Sequence, residues 1–297
     1  MSFYSDEYIE KVKNEFESFQ LDKSRYAEIA NLIAIIASGY DMQSQLYCFA
    51  YYGILRRIKI LEDCVENIFS IRNFFNEKIP SEKELSDITI NLQSFIINLY
   101  GLLENLAWVF AICVDFKGSK FDISFFAQKQ KLLNQLPENI KNDFIKDATW
   151  FEHIKCIRDL LAHQEPFYIP PYCVIEDKQN EWLLLEQKKK NIENNYLKKI
   201  YKDFLSRQAT SQTKVIFEPI SELQRQQKLE TQKNEEISKI NAEQQQYLIF
   251  RPILVTNTNK KDLISIEFYP QVLIDMKTVY EKVYLLLKYI VDLNRQL

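Results

Sequence analysis

The sequence predicts a mainly α protein: a helical bundle that carries a small mixed α/β elaboration, including a β-hairpin, ahead of a C-terminal helix. Three observations predict it. Glycine occurs 4 times in 297 residues (Gly39, Gly53, Gly101 and Gly118), whereas sheet-rich folds spend glycine on turns. Proline occurs only 8 times, so long stretches run without a helix breaker. Apolar residues recur at helical spacing through most of the chain. Hydrophobic residues make up 46%, as in a globular protein and unlike a disordered or fibrous one. The length allows one or two domains with ample core.

The elements follow in order. Tyr4–Phe19 and Lys23–Ser38 read as short amphipathic helices. Gln45–Lys78 reads as a long helix whose apolar positions Ile54, Ile58, Leu61, Val65, Ile68 and Phe75 keep helical spacing, interrupted by Arg72 and ended by Pro80. Ser81 and Glu84 then form a capping-box pattern that opens a second long helix reaching about Val114. These two antiparallel helices form the spine of the bundle. Phe95–Val114 is apolar enough to raise the question of a membrane span, but Asn98, Glu104 and Asn105 interrupt it. A charge at mid-span is costly in lipid, so a buried helix of a soluble bundle is the expectation, with no membrane partner.

A polar turn at Lys117–Lys120 leads to two shorter helices, Ile123–Asn134 and Glu138–Asp147. Thr149 and Glu152 repeat the capping-box pattern and open a helix from Trp150 to His163, which Pro166, Pro170 and Pro171 stop. Beyond Pro171 the texture changes. Gln179–Gln208 is a Lys-rich helix, and Lys214–Phe217, Tyr247–Thr256 and Leu263–Tyr269 read as strands, the last two as a hairpin. Ser221–Gln246, rich in Gln, Glu, Lys and Asn, is either a solvated helix or a mobile insertion. Pro270 opens a final helix to Leu293, with Val272, Met276, Val279, Val283, Leu286 and Ile290 on one stripe that should dock on the bundle. The expected organisation is a bundle over 1–170, the elaboration over 171–269, and the docking helix over 270–297.

Composition also removes function classes. Four scattered glycines cannot build a dinucleotide-binding or Walker-type phosphate loop. A net charge of −3, from 38 Lys+Arg against 41 Asp+Glu, argues against a general nucleic-acid binder but allows a local basic patch. The 5 cysteines show no CxxC spacing, which suits reduced thiols. The first twenty residues mix acids and lysines with aromatics, so the expectation is a cytoplasmic protein without a signal peptide. With only 2 histidines and no HExxH or GxSxG pattern, neither a metal site nor a cofactor is expected. Glu152, Cys156, Asp159 and His163 do fall at helical spacing, but such stripes arise readily on solvated faces.

Acid–base chemistry by histidine would fall to His153 or His163. His163 closes the run Arg158-Asp159-Leu160-Leu161-Ala162-His163 at the end of an amphipathic helix. This run resembles the signature of the HEPN superfamily: an Arg with a polar residue after it, four to six residues, then a His near the end of a late helix in a helical bundle. Glu104 and Asn105, polar groups inside an apolar helix, fit a further habit of that superfamily, a polar side chain from an earlier core helix near the Arg/His pair. The resemblance implies a homodimer in which two such motifs face one groove and cleave RNA without a metal. His163 would move protons to or from the ribose 2′-OH or the leaving oxygen, and Arg158 would clamp the phosphate. It also implies a toxin or phage-defence role, with an antitoxin or defence-system protein as partner.

Helical geometry adds a constraint. Arg158 and His163, five apart, differ by about 140°, whereas Asp159 and His163, four apart, share a face. Asp159 is therefore placed to accept a hydrogen bond from His163 and fix its tautomer. Each assignment has a plainer rival. On those rival readings His163 serves only the helix dipole, Arg158 only an ion pair, and Glu104 and Asn105 only each other and nearby backbone. Candidate RNA contacts are Tyr168 and Tyr172 in the stiff segment after the motif, and Lys188, Lys189, Lys190, Lys198 and Lys199 in the basic helix. The alternatives to a ribonuclease are a non-catalytic HEPN-like module that binds RNA, nucleotide or protein, and a helical scaffold whose Gln-rich stretch docks a partner.

Overall fold

The computed structural model describes residues 4–72, 76–126, 130–163, 166–210, 219–257 and 263–295. The protein is mainly helical. It divides into two units, Met1–Pro171 with Arg251–Leu297, and Tyr172–Phe250.

Helix α1 (Asp6–Asp22) starts where the Ser5 hydroxyl accepts the Tyr8 amide, and α2 (Arg25–Ala37) follows after a short break. The next expected helix is not uniform. Helix α3 (Gln45–Tyr47) runs into a π-helical segment, Cys48–Leu55, and then into α4 (Arg56–Ile71). Such widened turns let backbone approach a neighbour closely. Here Gly53 lies so near α5 (Glu82–Cys113) that a Cβ would sit 2.5 Å from the Asn105 side-chain nitrogen.

Helix α4 ends at Ile71, not at Lys78. Arg72 is extended (φ −150°, ψ 127°), and its buried guanidinium donates to the carbonyls of Asn76 (2.8 Å) and Lys78. The residue read as an interruption of the stripe is thus the terminator, and it holds the Asn76 and Lys78 carbonyls. Phe75 lies outside the described residues.

The Ser81–Glu84 capping box forms as expected. Helix α5 lies antiparallel to α4, tied by Asn67 to Asn91 (3.1 Å) and by Arg57 to Asn98 (2.8 Å). Among the described residues α5 alone is long and apolar enough to cross a membrane by length and composition, and 56% of that apolar window is buried within the fold.

Of the expected helix Ile123–Asn134, residues 123–126 are not helical, 127–129 lie outside the described residues, and α6 covers Gln130–Leu133. Ile123, Phe125 and Phe126 are buried without forming a helix, while the Ser124 hydroxyl donates to Glu104 on α5 (3.1 Å). Helix α7 (Glu138–Lys146) matches its reading closely. Helix α8 (Ala148–His163) starts one residue before Thr149, so Thr149 and Glu152 lie inside the helix and cap nothing.

In the second unit, β1 (Cys173–Val174) pairs antiparallel with β2 (Leu248–Ile249) at the base of two long helices, α9 (Gln179–Thr210) and α10 (Pro219–Gln245). The helices run antiparallel. Gln244 donates to Glu186 (2.9 Å), Lys189 to Asn241 (3.2 Å), and the Lys233 ammonium lies 4.6 Å from the Tyr196 ring centre. The Gln-rich stretch is thus a helix, the first of its two readings. Lys214–Phe217 falls outside the described residues.

The expected strand Tyr247–Thr256 splits between two sheets, β2 and β3 (Ile253–Asn257). Pro252, which has no N–H to give a ladder, stands at the break. Strand β3 forms the expected hairpin with β4 (Leu263–Glu267), in register from Ile253↔Glu267 to Asn257↔Leu263. Tyr168 exchanges backbone hydrogen bonds of 2.8 Å with Val255, and β4 runs directly into α11 (Phe268–Asn294). The hairpin therefore groups with the bundle, not with the 171–269 elaboration. Helix α11 packs on α1, α2 and α4, and all six residues of its expected stripe are buried.

Candidate functional site

Helices α5 and α8 pack against each other and bring Tyr100, Glu104, Arg158 and Asp159 into one polar cluster. The Arg158 guanidinium carbon lies 3.8 Å from the Tyr100 ring centre, and Nη1 pairs with Asp159 Oδ1 at 2.9 Å. Its Nε is buried with no hydrogen-bond partner among the described residues. Tyr100 stacks in turn on Phe126, ring centres 4.9 Å apart, so the cation rests on a braced aromatic face. Burial pushes the Tyr100 phenol above its ordinary pKa, the Glu104 charge adds to the rise, and Arg158 opposes it. Glu104 accepts the Ser124 hydroxyl from the segment before α6.

The sequence-level candidates fare unequally. Arg158, Asp159 and Glu104 come together. His163 is the last residue of α8 and is exposed. The expected Asp159–His163 hydrogen bond does not form among the described residues. The two share a helix face, but the neighbouring guanidinium takes the carboxylate. Asn105 parts from Glu104: consecutive residues diverge by about 100°, and Asn105 faces Gly53 of the π-helical segment. The Tyr168 side chain is exposed while its backbone is held by β3, with Phe167 and Ile169 buried on either side.

In the second unit, Tyr172 is exposed, as are Lys188, Lys190, Lys198 and Lys199 of α9. Lys189 is not available in the same way. It is half-buried, paired with Glu186 and bonded to Asn241, so it belongs to the α9–α10 seam.

Sequence reasoning missed Tyr100. The signal was present: Tyr100 stands four residues before Glu104, hence on the same face of α5. The other histidine, His153, is partly buried. Its Nε2 has no hydrogen-bond partner among the described residues, and burial lowers its pKa. Cys156 is exposed, and among the described residues no three His, Cys, Asp or Glu side chains converge as metal ligands do.

Chemically the cluster offers a guanidinium anchored on an aromatic ring and, about one and a half turns further along α8, an unburdened imidazole open to solvent. A fixed cation holds and stabilises a phosphate, and an imidazole can accept and return a proton. Comparison with known proteins adds no reference point: no family model, no curated protein and no solved structure matches this chain.

Proposed function

We propose that the α5–α8 face is the site of a HEPN-type, metal-independent endoribonuclease that works as a homodimer. The carrying observation is the pairing of a ring-anchored Arg158 with an exposed His163 on one helix. Arg158 holds the scissile phosphate and offsets the charge that builds on it. His163 takes the proton from the ribose 2′-OH as that oxygen bonds to phosphorus. The bond from phosphorus to the 5′-oxygen breaks, and His163 of the second copy returns a proton to the leaving oxygen. The products carry 2′,3′-cyclic phosphate and 5′-hydroxyl ends. A toxin or phage-defence role, with a restraining partner protein, accompanies this reading through the resemblance alone.

One observation favours a second reading, a non-catalytic RNA-binding module. Asp159 spends its carboxylate on Arg158, which leaves His163 without a group to orient it among the described residues. RNA cleavage in the presence of EDTA separates the two. The nuclease reading expects cyclic-phosphate ends from the wild type and a loss of about a hundredfold or more in His163→Ala and Arg158→Ala variants that remain folded. A folded wild-type dimer that binds varied RNAs without cutting any of them establishes the binding module instead.

A further inference from the structure

Arg57, at the start of α4, was singled out by no motif. Its guanidinium lies over Gly101 of α5, where a Cβ would stand 2.6 Å from Cζ and 2.7 Å from Nη1. Among the described residues its one hydrogen bond is Nη1 to the neutral Asn98 Oδ1 (2.8 Å), and no carboxylate pairs with it. Partial burial pulls its pKa down, the mark of a cation set in place without an anion. A buried or half-buried charge without a partner is costly, so such a group calls for a ligand of opposite sign.

The neighbour of Gly101 is Tyr100, which carries the Arg158 guanidinium on its ring. Consecutive helix residues point about 100° apart. The two cations thus flank one turn of α5 from two sides, Arg57 from the α4 edge and Arg158 from the α8 edge. Gly101 leaves room for the Arg57 guanidinium to lie against α5, and Ile97, one turn earlier, is 43% exposed. Beyond Arg57 the π-helical segment adds Tyr52, 45% exposed, with the Arg56 guanidinium 4.2 Å from its ring centre.

Resting on the RNA reading of the α5–α8 face, we infer that Arg57 is a second phosphate-holding residue of that site, so that single-stranded RNA crosses α5 at Gly101 with successive stretches of its backbone held by Arg158 and Arg57. The absence of a side chain at Gly101 lets the Arg57 guanidinium lie flat on α5, within reach of a strand that also meets Arg158. Two forks fixed on different helices also select an extended strand over an isolated phosphate.

The test is the salt dependence of binding of a fluorescently labelled uridine oligomer to the full-length protein, in EDTA, with Arg57→Gln, Arg57→Lys and Arg158→Ala beside the wild type. Glutamine removes the charge while keeping a polar, hydrogen-bonding side chain. Arg57→Gln is expected to bind about tenfold more weakly at low salt and to flatten the slope of log K against log salt by about 0.7, one phosphate contact of a single strand. Arg57→Lys is expected to keep the wild-type slope. Weaker binding of Arg57→Gln at unchanged slope assigns Arg57 a packing role and overturns the inference. Wild-type affinity and slope in Arg57→Gln, with Arg158→Ala impaired, overturn it alone and leave the α5–α8 site standing. No binding by the wild type overturns both.

Discussion

Helix α11 buries Val279, Tyr280, Val283, Leu286, Leu287 and Ile290 completely, whereas α9 and α10, each as long or longer, bury only Leu185 and Gln244 among their described side chains. One helix is held by area, at about 1.5–3 kcal/mol for each large apolar side chain removed from water. The other two rely on residues of high helix propensity (Gln, Glu, Lys, Leu) and on a seam of polar contacts: Gln244 to Glu186, Lys189 to Asn241, Lys233 on Tyr196, and Arg225 near Asp203 at 4.0 Å. Each exposed pair contributes little and is weakened by salt. The same secondary structure thus has two physical origins, and the two units should answer differently to the same perturbation.

The largest expected effect breaks the simple form of that contrast, because it removes a charge from the burial-rich unit. Lys282 of α11 is 1% exposed. It pairs with Asp143 and Asp147 and donates to the Asp143 carbonyl at 2.8 Å. Lys282→Met leaves two carboxylates facing an apolar wall. Breaking a buried pair from one side costs about 3–5 kcal/mol. Urea melting followed by helical circular dichroism should show the loss, and hydrogen exchange should assign it to α7 and α11 while α9 and α10 keep their wild-type protection. A shift below about 1 kcal/mol would mean that area alone holds α11.

A second buried charge sharpens the point by pH. Burial raises the Asp275 carboxyl to about 6, despite hydrogen bonds from Trp150 Nε1 and Gln271 Nε2, both 2.8 Å. The unfolded chain ionises the same group near the usual 3.9. Between those values the folded state holds the proton more tightly, so this residue's contribution to stability falls as pH rises from about 4 to about 6 and stays low above that. Asp275→Asn cannot titrate. Relative to wild type it should gain about 3 kcal/mol between pH 4 and pH 7, whatever the offset at low pH. A difference that stays flat across the window would place water beside the carboxylate.

In the second unit the comparison predicts that polar contacts, not area, carry the load. Gln244 is 4% exposed and donates to Glu186 Oε1 and to the Trp182 carbonyl. Gln244→Ala removes a hydrogen bond to a charged acceptor, worth about 2 kcal/mol, and should loosen exchange protection along the α9–α10 pair. Leu197→Ala, at a side chain 60% exposed, should change protection by less than about 0.5 kcal/mol. Equal effects from both would place hidden apolar contacts in the seam.

The elements that declared themselves in the sequence are those with local causes. The α5 start has its cap, α11 its stripe, and the β3–β4 hairpin its paired runs of β-branched residues. The failures share another cause. Residues 123–126 leave the expected helix where Ser124 bonds to Glu104, twenty residues away, and α4 ends early because Arg72 finds the carbonyls of Asn76 and Lys78. Neither partner is visible in a periodicity. At the site, spacing put Asp159 and His163 on one face but could not say that the Arg158 guanidinium would reach the carboxylate first. Nor could it say that Tyr100 would carry that guanidinium, or that Asn105 would turn toward Gly53. Which residues share a face is a one-dimensional fact, but which groups meet depends on how the helices pack.

The smallest effect tests local signals where burial is abundant. The sequence carries the capping pattern twice, at Ser81–Glu84 and at Thr149–Glu152. At the first, the Ser81 hydroxyl accepts the Glu84 amide and the Glu84 carboxylate accepts the Ser81 amide at 2.7 Å. Those bonds hold the Glu84 carboxyl below its ordinary pKa. At the second, Thr149 is exposed inside α8. Ser81→Ala should therefore cost about 1 kcal/mol, while Thr149→Ala should gain a few tenths of a kcal/mol, since alanine is the better residue within a helix. Matched chemical melts of the two variants decide it. A loss at Thr149 comparable to that at Ser81 would mean that α8 starts later in solution, at Trp150. It would also mean that sequence pattern outranks packing at the start of the helix that carries Arg158 and His163.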